Sequence, residues 1–281
     1  VIAILGGLGA ALAWAASGLC SSRSSRMIGS PSVVAWMALV GLLVTGPWAA
    51  IDGVPAHLGG SDVGWLVLAG AGNVAGLLLA YVAFRVGDVS LISPLLSTEG
   101  AIAALIAFAA GERLGLATAI TLFAIAVGVA LAATSPHEQS TRRHLREVVL
   151  VAGLAAVCFG ASLYATGRVS GSLPLAWVVL PPRLIGVALV TLPLALSGRL
   201  RLTRAAVPLV VASGLAEVAG FVAYSVGARH DIAVAAVLSA QFAAITAVFG
   251  YLLFRERLAR LQLAGVIVML AGVTALSGLR A

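Results

Sequence analysis

The sequence predicts an all-α, polytopic membrane protein of ten transmembrane helices, arranged as two inverted five-helix repeats around a central cavity. Three features carry that expectation: an apolar composition, a succession of helix-length apolar runs, and a self-similarity at a shift of 144 residues. Of 281 residues, 61% are hydrophobic and only 10% charged, with a mean hydropathy of +1.11. Soluble domains are about 45–50% apolar and about 25% charged, so the bilayer is this chain's principal solvent.

A helical span needs about 20 mostly apolar residues to cross a hydrocarbon core about 30 Å thick. Runs of that length fall at 1 to 20, 33 to 51, 63 to 84, 89 to 110 and 115 to 134, then at 148 to 167, 174 to 197, 207 to 228, 232 to 254 and 261 to 279. Short polar turns separate them. Spanning strands would instead alternate over about 10 residues, which "LAGVIVMLAGVTAL" (263 to 276) does not do. The formal charge of +7 could suggest nucleic acid, but every basic residue is arginine and nearly all lie in turns, where they act as topology signals. Most flank the odd-numbered connections, which places those in the cytoplasm and both termini outside. Cys20 and Cys158 lack metal or redox spacing and read as small core hydrophobes.

The repeat lays "GAGNVAG" (70 to 76) over "GLAEVAG" (214 to 220) and "ERL" at 112 to 114 over "ERL" at 256 to 258. Near the start the shift is 145, which matches Trp14 and Ser17 with Phe159 and Ser162. The units are 1–134 and 148–281, joined by the polar linker 135–147. Five spans per unit, an odd number, insert the second copy upside down. The glycine run of the first copy is not a phosphate loop, which would follow a strand and open a helix; Gly72-x-x-x-Gly76 lies within an apolar run and suits close helix packing.

The small and aromatic unit starts ("ALAWAAS", 11 to 17; "AVCFGAS", 156 to 162), the third-span exits ("YVAFRVGDVSL", 81 to 91; "YSVGARHDIAV", 224 to 234) and the fourth-span ends ("GERL", 111 to 114; "RERL", 255 to 258) recur in order. Over nearly its whole length the chain thus resembles the drug/metabolite transporter superfamily, specifically its ten-span EamA-type members, and is most similar in general look to bacterial exporters of amino acids of the aromatic amino-acid and methyl viologen type. The resemblance implies a secondary transporter of the bacterial inner membrane working by alternating access. It departs from the family pattern in its arginine distribution, since many members keep their termini in the cytoplasm, and in having Trp36 where the second copy has Arg183.

Strongly polar side chains inside spans are costly and mark a pathway by default. They are Asn73 and Glu217, paired by the repeat, Glu99 and Gln241, paired with a slip, and Arg183 near the start of span seven; Arg183 apart, each half contributes one carboxylate and one amide, as expected of a site between inverted repeats. Glu217, Phe221, Tyr224 and Ala228 form one helical stripe, Tyr81 neighbours that of Asn73, and Trp14 and Phe159 could wall the cavity and meet an ammonium. The candidate substrate residues are therefore Trp14, Asn73, Tyr81, Glu99, Phe159, Glu217, Tyr224 and Gln241. Glu99 and Glu217 are the proton-coupling candidates, and Pro94 is the candidate gate because proline bends a helix. The competing structural readings are helix ties for the polar groups and an interfacial belt for Tyr81, Tyr224, Trp36, Trp65 and Trp177.

Arg183 either binds a substrate carboxylate or snorkels from "LPPR" to the headgroups, with snorkelling preferred. Asp88 and Asp231 read as helix N-caps. An enzyme is not expected, because all four histidines lie in turns and leave an intramembrane nucleophile without a base. The alternatives to a transporter of metabolites are an intramembrane enzyme or a lipid or drug flippase of the same superfamily. No cofactor is implied; the partners are a small-molecule substrate and the bilayer, and one chain suffices to enclose the cavity.

Overall fold

The computed structural model describes residues 1–86, 92, 95–112, 115–132, 142–242, 245, 261, 263–265, 267–268, 271–272 and 275. In chain order the main helices are α1 (Ile2–Ile28), α2 (Ser30–Asp52), α3 (Gly60–Val86), α4 (Glu99–Ala109), α5 (Leu116–Ala132), α6 (Arg142–Ser170), α7 (Leu175–Leu196), α8 (Val207–Ala228) and α9 (Ile232–Ser239). Six of them, α1, α2, α3, α6, α7 and α8, are long and apolar enough to cross a membrane, while α4 and α5 are shorter apolar helices. No strand occurs among the described residues. The tenth span and the end of the ninth fall largely outside the described residues, as do Asp88, Pro94 and most of the linker.

Local chemistry sets the boundaries. Gly29 (φ 83°) and Gly53 (φ 71°) end α1 and α2 in backbone that glycine adopts without steric cost, and Pro31 opens α2 where its missing N–H costs nothing. Helix α7 runs as Leu175–Val179, Pro181–Gly186, a π-helical turn at Val187–Thr191, then Leu192–Leu196. Its prolines remove the amide hydrogens that a continuous helix would use.

The interior is built from small residues: Ala10, Ala11, Ala15, Ala35, Ala155 and Ala235 are wholly buried, while Leu43, Leu105, Phe123 and Leu189 face outward. In lipid this arrangement is favourable, because association depends on close backbone approach rather than on hiding apolar surface. A Cβ on Gly72 would meet the Cys158 carbonyl oxygen at 2.8 Å, and one on Gly76 would meet Phe159 Cδ1 at 2.6 Å. The glycine run is thus a packing seam between α3 and α6.

Helix packing follows the repeat. Helix α1 packs on α8 as α6 packs on α3, α2 on α8 as α7 on α3, and α1 on α9 as α6 on α4. Matched contacts recur in detail: Ser17 Oγ donates to the Ser213 carbonyl at 3.1 Å, and Ser162 Oγ to the Ala69 carbonyl at 2.6 Å. Phe159 lies against Gly76, and Trp14 lies against Gly220.

The connections sort by end. Trp177 Nε1 donates to the Gly53 carbonyl, and Arg229 reaches the Ser170 and Leu173 carbonyls. At the other end Trp36 Nε1 donates to the Arg201 carbonyl, and the Arg201 amide donates to Ser32 Oγ. The indoles of Trp36 and Trp177 therefore tie loops at opposite ends of the molecule.

Candidate functional site

The segments that carry Glu99 and Gln241, expected as spans four and nine, are both interrupted by a turn. A turn at Ser97 and Thr98 precedes α4, where a continuous span was expected over 89 to 110, and a turn at Ala240 and Gln241 follows α9. In each, a hydroxyl bonds backwards to the chain: Thr98 Oγ1 to the Leu95 carbonyl at 2.6 Å and Ser239 Oγ to the Ala236 carbonyl at 2.9 Å. Such bonds compete with the helical ladder. Glu99 becomes the first residue of α4 and is 6% exposed, while Gln241 is 1% exposed. Gly100 lets α4 approach the α9 backbone at Ala236, and Gly160 lets it approach α6, where a Cβ would meet the Glu99 carbonyl oxygen at 2.9 Å. This wedging fixes where the Glu99 side chain begins.

Glu217, on α8, is half-buried and accepts a long 3.5 Å hydrogen bond from Ser17 Oγ, which is also bonded to Ser213. The Glu217 carboxylate lies within electrostatic range of Arg183, Glu99 and Tyr81. Tyr81, half-buried on α3, packs beside Val34, Val74 and Val190.

Arg183 does not snorkel. It is 4% exposed, and its Cζ lies 4.8 Å from the centroid of the Phe221 ring. Pro181 and Pro182 start its helical segment, and Gly41 on α2 clears its path, since a Cβ there would lie 2.7 Å from Arg183 Cδ. The expectation of a headgroup contact fails because the direction of this side chain is set by α2 and α8, not by its distance from the span end. Arg183 Nε and Nη2 have no hydrogen-bond partner among the described residues. Burial removes the preferred of the two sequence readings of Arg183 and leaves the other; its sequence signal is a guanidinium inside an otherwise uncharged run.

Trp14 forms the aromatic wall. Its ring meets Phe221 edge-on at 5.3 Å and Phe242 at 6.5 Å, and lies 6.3 Å from Tyr224. Trp14 Nε1 is buried without a hydrogen-bond partner among the described residues, as is Gln241 Nε2. Tyr224 is fully buried and its hydroxyl donates to the Leu163 carbonyl at 2.8 Å, so it ties α8 to α6 as well as backing the wall. The structure therefore brings together Trp14, Tyr81, Glu99, Glu217 and Tyr224 with Arg183 and Phe221. Asn73 is buried on α3 at 7% exposure, and half-buried Phe159 covers Gly76.

A second polar group occupies the end that holds the N-terminus. An open recess of about 370 Å³ is lined by Glu112, Arg168, Gly171, Arg229, His230 and Asp231 among others. Asp231 caps α9 by accepting from the Val234 amide at 2.9 Å, as its sequence position implied. Burial and the nearby Asp231 carboxylate push the Glu112 carboxyl up, against the opposing pull of the Ile232 and Ala233 amides and Arg168.

Buried carboxylates and a guanidinium among apolar, membrane-length helices define an integral membrane protein with a polar interior. The model of the EamA-like transporter family matches residues 1–134 and 147–278. The chain belongs to the EamA-like transporter family. A solved structure described as "Crystal structure of protein" shares the fold, with a TM-score of 0.82 and 19% identity over 99% of this chain and 96% of that one. No curated protein matches at the sequence level.

Proposed function

We propose that this transporter exports amino acids or related small metabolites across a bacterial inner membrane by alternating access. Two inverted five-helix units, 1–134 and 148–281, would rock or gate around the interior site, joined by the linker 135–147. Both termini would lie outside the cytoplasm, and one chain would suffice. The observation that carries this reading is a guanidinium and a carboxyl group buried in the interior, Arg183 at 4% and Glu99 at 6% exposure, with Arg183 stacked on Phe221 one helical turn from Glu217. Charges so placed are costly unless a substrate or proton uses them.

Glu99 and Glu217 are the groups we assign to proton coupling or to the substrate's ammonium. Trp14, Tyr81 and Tyr224 would wall the site, with Asn73, Phe159 and Gln241 completing its lining from the other helices. Pro94, which lies outside the described residues, remains the proposed gate. The test is uptake of a labelled amino-acid panel into proteoliposomes with and without a pH gradient. Saturable uptake that responds to the gradient supports the reading. Uptake no faster than in empty liposomes, for every member of the panel, rejects the amino-acid assignment and brings the flippase alternative forward.

A further inference from the structure

We propose that Arg183 is the specificity-determining residue of the interior site and that it binds the carboxylate of the transported substrate. The inference rests on the transporter reading above and narrows it to molecules bearing a carboxylate.

Arg183 is buried, charged and incompletely bonded. Burying an ion without satisfying its hydrogen-bonding groups is strongly unfavourable. Arginine tolerates such a position when its flat face stacks on an aromatic ring while its edge N–H groups bond a planar acceptor pair. Here Phe221 covers a face at 4.8 Å, and Nε and Nη2, a pair that a carboxylate can bridge, have no partner among the described residues. Glu217 balances charge nearby but does not bond these two atoms. Trp14 Nε1, on a ring that also packs against Phe221, is a further donor with no partner among the described residues. Indole and guanidinium N–H groups can only donate, so an acceptor-rich anion satisfies them. A carboxylate does so bidentately.

The site is also one-sided. At the repeat shifts of 144 and 145 the first unit holds Leu39 and Ala38 in this position, neither of them charged. A substrate with a carboxylate and an ammonium would thus have one orientation, its carboxylate on Arg183 and its ammonium toward Glu217 and Glu99.

The experiment pairs each acid with the amine lacking its carboxylate: L-phenylalanine with phenethylamine, and L-leucine with 3-methylbutylamine. Apparent Kd values come from thermal-stability titrations of the purified protein and of Arg183→Gln and Arg183→Lys. Uptake of both labelled amino acids into proteoliposomes runs in parallel. The expected result is that at least one acid binds the native protein about 10–100-fold more tightly than its amine, the range a charge-assisted hydrogen bond supplies. Arg183→Gln should erase that preference and Arg183→Lys restore only part of it. If the native protein binds amine and acid alike, or if Arg183→Gln keeps the preference, the carboxylate assignment is overturned while measured uptake leaves the transporter reading standing. If the native protein neither binds nor takes up either acid, both fall. The native comparison of acid with amine needs no variant, so a misfolded Arg183→Gln does not rescue the proposal.

Discussion

Two side chains set the balance at the residue scale, Glu217 and Trp14. Among the described residues Glu217 accepts one long bond, from Ser17, so the proposed exchange of partners between Arg183, a proton and a substrate would break little. Trp14 is held by shape, because Gly220 alone leaves room for its ring. Gly220→Ala should therefore destabilise the protein by about 1–3 kcal/mol, the usual cost of overpacking, and adding Trp14→Phe should recover part of the loss; thermal unfolding in detergent checks both. The hydroxyl ties should matter less. Ser17→Ala and Ser162→Ala are each expected to cost about 0.6 kcal/mol, typical of interhelical hydrogen bonds in membranes, and a double variant close to the sum would show the two symmetric contacts to be independent. Asn73, Glu99, Glu217 and Gln241 were visible in the sequence because a polar side chain stands out in an apolar run. Arg183 was visible for the same reason, but the preference for a headgroup contact fails, since its inward course depends on Gly41 and Phe221, which lie far from it in the chain.

Spans four and nine are the informative elements. Continuous helices were expected there, but α4 starts at Glu99 after a turn and α9 stops at Ser239 before one. Neither interruption has a glycine or proline at the turn itself; the sequence signal was the Ser97-Thr98 pair and Ser239, whose back-bonding competes weakly with a helix and was overridden by hydropathy as a cue. Interrupted helices near the midplane are where transporters expose backbone to substrates and ions. At the end of the molecule, Arg229 ties α8 to the segment after α6, and Arg229→Ala should lower thermal stability by removing both bonds. Glu112 carries a pH dependence of known sign. Its carboxyl is raised in the fold, so its ionised form is disfavoured there, and the effect is absent below the ordinary carboxylate range and present above the raised value. The native protein should therefore lose stability relative to Glu112→Gln as pH rises from acid toward neutral, measured as the difference between their unfolding temperatures. A difference that stayed flat would place that carboxylate in water.

On the scale of the whole molecule, the sequence repeat is readable as a packing symmetry. The α1 contact with α8 and the α6 contact with α3 share a serine-to-carbonyl bond and an aromatic ring on a glycine, although the two halves differ at most positions. Hydropathy and self-similarity made the helical class and the pairing of halves legible, since both are written in local composition. Which polar groups meet in the interior was not, because it depends on helix rotation and close approach. The symmetry breaks at Arg183 and at the carboxylate each half supplies, and that asymmetry is where a directional substrate site is expected. The most direct test of the account compares initial uptake rates of a transported amino acid by the native protein, Glu217→Gln and Glu99→Gln, with Glu147→Gln as a control that changes an exposed carboxylate. Loss of uptake or of its pH dependence in Glu217→Gln or Glu99→Gln, with the control unchanged, is the predicted result; interior variants that transport as the control does would contradict it.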